Sequence, residues 1–138
     1  MTVPLWSLLG FAAWTLSLLI FTVGTYRWSR ILTARAQLSD FPADAAGGDA
    51  WYQRATRAHA NCIENLPVFG AIVMALTASG VGGTLVDGLS ISVLASRIPQ
   101  SLVHVGFVQT DRAIAVRFTL FCVQAVSFLV LIALIVAA

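Results

Sequence analysis

The sequence predicts an all-α integral membrane protein, a bundle of four transmembrane helices in one domain over residues 1–138, on three observations. Only 10% of its residues are charged and 59% are hydrophobic, whereas ordinary soluble domains carry roughly 25% charged residues. The charges are also clustered: residues 1–26, 65–86 and 118–138 contain no Asp, Glu, Lys or Arg and together make up half the chain. Each block meets the about 20 apolar residues that a spanning helix needs. A fourth uncharged run, Ile98–Thr110, becomes a span only if Arg97 lies inside it.

Helix 1 is expected from about Pro4 to Arg35. Pro4 suits a first turn, where its missing N–H costs nothing. Trp6 at one end and Tyr26 and Trp28 at the other fit two interfacial belts, separated by about 30 Å at 1.5 Å per residue. Met1–Tyr26 has no basic residue and a long apolar run, so it reads as a retained helix and not a cleaved signal. Gln37–Asp49, with Asp40, Pro42, Asp44, Gly47 and Gly48, is expected to be a loop. Asp49 is a candidate cap for helix 2, which runs from about Ala50 to Ser79 and is ended by Gly80, Gly82 and Gly83. Helix 3 is expected over about 85–109, with Asp87 in its first turn. Thr110–Val116 reads as a tight connection and helix 4 as about 117–138.

All eight basic residues are Arg. The helix 1–2 connection and its flanks hold Arg27, Arg30, Arg35, Arg54 and Arg57, and the helix 3–4 connection holds Arg112 and Arg117. The positive-inside rule puts these connections in the cytoplasm and both termini outside, the expectation being a multi-pass protein of a bacterial inner membrane. Arg27 and Arg30 are accounted for by that topology signal. A net charge of +2 is too small for a nucleic-acid surface. Cys62 and Cys122 make no disulfide framework. No metal site, Gly-rich phosphate loop or Ser/His/Asp signature is present, which with the composition excludes a soluble enzyme.

Polar residues inside apolar helices are expensive and point to function. Helix 2 carries Arg54, Arg57, Asn61 and Glu64 at steps of 3, 4 and 3, so all share one helical face. Helix 3 carries Arg97, Gln100 and His104 at similar steps. The two stripes are expected to face each other. Counting 1.5 Å per residue from the helix 2–3 turn, Glu64 and His104 lie at about 27 and 28 Å and Arg97 at about 18 Å. A structural seam of interhelical hydrogen bonds is the alternative, but seven polar groups exceed what a helix pair needs. Gln124 of helix 4 reads as one interhelical hydrogen bond, and Cys122 as a buried hydrophobe. Ala71, Ala75, Ser79 and Gly83 form a small-residue stripe suited to close helix contact.

The segment Arg57-Ala58-His59-Ala60-Asn61-Cys62-Ile63-Glu64-Asn65-Leu66-Pro67-Val68-Phe69 resembles the RA-x-x-N-x-x-E-x-x-P-x-F signature of the MAPEG family, the membrane-associated proteins in eicosanoid and glutathione metabolism. A weaker echo is Ala95-Ser96-Arg97-Ile98-Pro99-Gln100-Ser101-Leu102-Val103-His104, similar to the family's helix 3 segment. The resemblance implies a homotrimer that binds glutathione between subunits in the cytoplasmic half, and a lipophilic small-molecule substrate drawn from the surrounding membrane lipid. It places Arg57, Asn61 and Glu64 at the tripeptide, with Arg35 from helix 1 and Arg97, Gln100 and His104 from helix 3. An Arg near the start of helix 4 sits by the thiol; Arg117 fits best and Arg112 is close behind. The family commonly has Tyr where this chain has His104, and His or Tyr where it has Gln100. The implied activity is a glutathione-dependent transferase or peroxidase. A non-catalytic glutathione- or lipid-binding protein of the same fold and a small transporter are the alternatives.

Overall fold

The computed structural model describes residues 1–41 and 47–138. Four long helices account for nearly all of them: α1 Val3–Leu32, α2 Ala50–Ser79, α3 Thr84–Gly106 and α4 Asp111–Val136. Among the described residues there is no strand. Their order makes an up-and-down bundle, in which the end of α1, the start of α2, the end of α3 and the start of α4 share one end. Arg27, Arg30, Arg54, Arg57, Arg112 and Arg117 therefore gather at that end, as the basic connections imply. The α1–α2 loop contains a short 3₁₀ turn, Leu38–Asp40, closed by reciprocal hydrogen bonding between Gln37 and Asp40. The loop expectation for Pro42 and Asp44 falls outside the described residues.

Three of the helices, α1, α2 and α4, are long and apolar enough to cross a membrane. The fourth, α3, is 23 residues long and buries Ser90, Ser96, Arg97, Gln100, Ser101 and His104 along with Val86 and Val93. A helix with such a face is tolerated in a bilayer only when protein covers it. That is its place here: α3 packs against all three other helices, most extensively α4. The outer surface shows the opposite pattern. Leu9, Leu16, Phe21, Ile63, Met74, Ile91, Leu102, Phe118 and Leu129 are exposed, as expected where the solvent is hydrocarbon. Trp6 and Trp28, near the two ends of α1, are also exposed and suit the interfacial belts.

The apolar core is centred on three rings from three helices. Phe69 of α2 lies with its centroid 6.1 Å from Phe11 of α1 and 5.8 Å from Phe128 of α4. Around them, buried hydroxyls are satisfied locally. Thr15, Ser90 and Ser127 each donate to the carbonyl four residues back, at 2.8–2.9 Å, so they enter the core without orphaned polar atoms. Ser92 and Ser127 also meet across α3 and α4 at 2.9 Å.

The helix limits depart from the sequence reading at several points. α2 begins and ends where expected, at a left-handed Gly80 (φ 69°) followed by Gly83 (φ 116°). Both turns suit glycine because a Cβ is strained there. α1 stops at Leu32, short of Arg35, where Ala34 adopts φ 54° and breaks the helical path. It also contains a π-helical stretch, Leu19–Gly24, which no local pattern announces. α3 ends at Gly106, earlier than Gln109, because Phe107 is extended. The largest correction is α4. It begins at Asp111, so Asp111–Val116 is helix and the connection shrinks to Phe107–Thr110. Thr110 caps it by accepting from the Ala113 N–H at 3.3 Å, and Asp111 sits in the first turn, where the helix dipole favours it. The polar run read as a loop is thus a helix start. Asp49 does occupy the N-cap position of α2, but its side chain does not cap; it pairs instead with Arg30 at 3.0 Å. The stripe Ala71, Ala75, Ser79 faces largely outward and is not used within the chain.

Phe69 is fully buried between two other rings, so truncating it removes packing that lipid cannot restore. Phe69→Ala is expected to destabilise the folded chain by about 3 kcal/mol, read as a lower thermal midpoint in detergent. A variant as stable as the parent would show that this ring cluster does not hold the bundle.

Candidate functional site

The 3-4-3 spacing on α2 places Arg54, Arg57 and Glu64 in one row, and this row forms a wall of an open groove of about 800 Å³ at the basic end of the bundle. His104 at the end of α3 joins them, together with Gln53, Thr56, Ala60, Val108 and Gln109. The volume is within the roughly 300–1,000 Å³ range of small-molecule sites. Glu64 and His104 both line the groove but not at one level. Cys62 Sγ lies 3.4 Å from Ser101 Oγ, which sets His104 about 7 Å further toward the basic end than Glu64 at 1.5 Å per residue, so the equal depth expected from the sequence is not met. A smaller cavity at the opposite end is lined by Met1, Asp87 and Gly80–Gly83 among others and lacks such a set of charges.

The groove carries more positive than negative charge. Arg57 and Glu64 are exposed and Arg54 is half-buried. Arg54 also donates its Nε–H to the Val105 carbonyl at 3.3 Å, which ties the α2 wall to the end of α3. Glu64 makes no ion pair among the described residues, where Arg30–Asp49 is the only salt bridge. His104 is 4% exposed and neither of its ring nitrogens has a hydrogen-bond partner. Two orphaned ring nitrogens in a buried residue are costly, and both are covered by protein in the single chain. Arg54, Arg57 and Arg117 all lie close enough to this imidazole for their charges to act on it, and Arg57 and Arg117 act on each other. Three guanidiniums thus lie within electrostatic reach of one histidine, and the single carboxylate lining the groove, Glu64, stands two turns beyond Arg57 on the same α2 wall.

The remaining expected site residues divide. Neither Arg117 nor Arg112 lines the groove; Arg117 is half-buried and within electrostatic reach of His104, whereas Arg112, one turn earlier, is exposed. Asn61 is half-buried and its backbone and side-chain oxygens accept from Asn65 Nδ2 at 2.8 and 3.1 Å. Arg35 is exposed beyond the end of α1 and does not line the groove.

On α3 the expected stripe splits, and only His104 faces the α2 row across the groove. Arg97 is wholly buried, with its guanidinium 5.2 Å from the Phe11 ring centroid. Its Nε and Nη2 have no hydrogen-bond partner, and Cys62 and Glu64 are near enough to act on its charge. Gln100 turns to α4, donating to the Arg117 carbonyl at 3.1 Å and accepting from Gln124 Nε2 at 3.0 Å. The steps of 3 and 4 place these residues on one broad face, but three neighbouring helices divide that face among them.

Gln53 and Gln109 escape the sequence reading. Gln53 is one turn before Arg57 and is reached by extending the α2 row backwards. Gln109 lies in the extended segment after α3, where no periodicity applies. Beside the groove, Tyr52 stacks on Tyr26 with centroids 4.2 Å apart and accepts from Arg27 Nε at 2.7 Å. Arg30 lies 4.6 Å from the Tyr26 centroid. Arg27 and Arg30, accounted for by topology alone, therefore also pin the end of α1 to the start of α2.

Among known proteins, the sequence model of the MAPEG family matches residues 3–138. No curated protein and no solved structure matches the chain. The matched segment takes in all four helices and every residue of the groove; of the signature residues, Arg57 and Glu64 line the groove, Asn61 does not, and Phe69 lies in the apolar core. The chain belongs to the MAPEG family and is a membrane protein of glutathione or eicosanoid metabolism.

Proposed function

We propose that the protein is a glutathione-dependent membrane transferase or peroxidase acting on lipophilic electrophiles, working as a homotrimer. The observation that carries this reading is the groove itself, which brings Arg54, Arg57, Glu64 and His104 into one lining in a MAPEG chain.

Glutathione fits that set by its charges. It has two carboxylates and one amine. Guanidinium forks grip carboxylates bidentately, which suits Arg57 and Arg54, and Glu64 suits the amine. Bound there, glutathione supplies a nucleophilic thiol. A free thiol has a pKa near 8.5 and is mostly protonated at neutral pH. Arg117 stabilises the anionic form by its charge, and Arg112 is the alternative for that role. His104 offers a ring N–H or a ring nitrogen to the same region, in place of the Tyr that family enzymes commonly carry. Arg97 beneath the groove supplies further positive charge. The groove is open at its side, so a neighbouring subunit could close it and bring exposed Arg35 to the tripeptide. The Arg bias of the connected loops supports a cytoplasmic position for this end, where glutathione is supplied, while the electrophile arrives from the bilayer.

The second reading is a non-catalytic binding protein on the same fold. It is favoured by His104 in the Tyr position and by Gln100, whose amide is used inside the chain.

Two measurements separate these readings. Glutathione at ten times its Kd stabilises by about 1.4 kcal/mol, which raises the melting temperature by a few degrees, and Arg57→Ala abolishes that rise. An unchanged melting temperature in the parent protein with millimolar glutathione would sink both glutathione readings. With a halonitrobenzene as model electrophile at a pH below the thiol pKa, Arg117→Ala lowers kcat by about three- to tenfold for each unit by which that pKa rises, the lost thiolate fraction being partly offset by its greater nucleophilicity, with KM for glutathione changed little. Binding without turnover would favour the non-catalytic protein.

A further inference from the structure

We infer that the Gln124–Gln100 pair is the positioning device that holds Arg117 within reach of His104, an inference that rests on the reading in which Arg117 acts on a thiolate beside the groove. The first part of α4 is weakly held. The buried residues of α4 are Gln124, Ser127, Phe128 and Leu131, all in its second half. Arg112, Ile114–Val116, Phe118 and Thr119 are exposed, with Ala113 and Arg117 half-buried. Core packing therefore fixes the far half of the helix and leaves the half that carries Arg117 without a buried anchor.

One hydrogen bond among the described residues joins that half to another helix. Gln100 of α3 donates from Nε2 to the Arg117 carbonyl at 3.1 Å. That carbonyl has a second lone pair beyond the one used in the helix, so the bond adds to α4 without breaking it. Gln100 is itself oriented. Its Oε1 accepts from Gln124 Nε2 at 3.0 Å, and Gln124 also donates to the Leu120 carbonyl at 3.2 Å. Gln124 is wholly buried and Gln100 is 4% exposed, so water does not compete for these bonds. An amide rotated by half a turn would present Oε1 to the Arg117 carbonyl, and two acceptors repel. The Gln124 donor thus fixes the Gln100 orientation, and the Gln100 donor fixes the height and rotation of the Arg117 turn relative to α3. His104 lies one turn further along α3 from Gln100, so the same contact sets the distance between Arg117 and His104.

The pair also explains why residue 100 need not touch the ligand. Both amide ends are used between α3 and α4, and the side chain does not line the groove. Gln100 and Gln124 act through Arg117 and are positioning residues.

The test uses the full-length protein in detergent or nanodiscs and compares Gln124→Met, the double variant Gln100→Met with Gln124→Met, Arg117→Ala, and the triple variant. Gln124→Met leaves a buried acceptor unmatched and can fail to fold. The double variant replaces both partners by apolar groups of similar shape, which is close to neutral for stability, and decides the matter in that case. Readouts are the glutathione Kd, the pH midpoint of the ultraviolet thiolate band of bound glutathione, and kcat and KM for a model electrophile. In the double variant the thiolate midpoint is expected to rise by about one pH unit, and kcat assayed below the midpoint to fall about three- to tenfold. The Kd is expected to stay within about twofold of the parent, and the triple variant to match Arg117→Ala, since residues acting through one group are not additive. A folded double variant with the parental midpoint overturns the inference while leaving the proposed function intact. A large loss of glutathione affinity in it overturns the inference too, by returning Gln100 to the ligand. A further upward shift on adding the double change to Arg117→Ala does the same. Arg117→Ala with the parental midpoint overturns both the inference and the role of Arg117 on which it rests.

Discussion

A polar helix inside a bilayer must be covered by other helices on its polar side, and the bundle is arranged around that requirement. The buried face of α3 includes a guanidinium, an imidazole, an amide and three hydroxyls. No lipid-facing position could accept it at tolerable cost. The three apolar helices enclose it, and their own outward faces meet the hydrocarbon. The position of the groove follows. Where α3 ends at Gly106, the cover thins, and the last polar residue of its buried face, His104, is left beside the charged row of α2.

The sequence made the class of fold plain because hydropathy is a strong, additive signal over about 20 residues. The whole of α2 was legible for the same reason, helped by Gly80 at its end. Ends that depend on a single cap were harder. Thr110–Asp111 is a helix start with a capping hydroxyl and a favourable first-turn carboxylate, but by composition alone it resembles a turn. Ala34 ends α1 by adopting a positive φ, which nothing in its identity announces. The π-helical stretch of α1 is equally silent in the sequence.

The candidate site was legible to the extent that it lies along one helix. Arg54, Arg57 and Glu64 share a face by periodicity alone, and they share a wall of the groove. Across helices periodicity is insufficient. It places Arg97, Gln100 and His104 on one side of α3 but does not say which neighbour each one meets. Phe11 of α1 lies beside Arg97, and Gln124 of α4 takes Gln100, leaving His104 for the groove. A choice among three packing partners is decided by helix rotation, a tertiary property. Gln124, which could be read only as an interhelical hydrogen bond, gains meaning once its partner is known to hold the backbone of Arg117.

The electrostatics of the groove argue for an occupant on grounds independent of family. Arg54, Arg57 and Arg117 act together on His104, and Arg57 and Arg117 act on each other. Like charges brought together at a partly desolvated site repel, and their repulsion is screened less than it would be in water. A fold under selection for stability alone would disperse them, or match each with a carboxylate as Arg30 is matched with Asp49. Here the groove holds a single carboxylate, Glu64, on the same α2 wall as Arg54 and Arg57. The imbalance is relieved by a ligand that brings more negative than positive charge, and Glu64 remains to meet the positive part. A tripeptide with two carboxylates and one amine has that balance, and ionising its thiol would add one more negative charge beside the same cations.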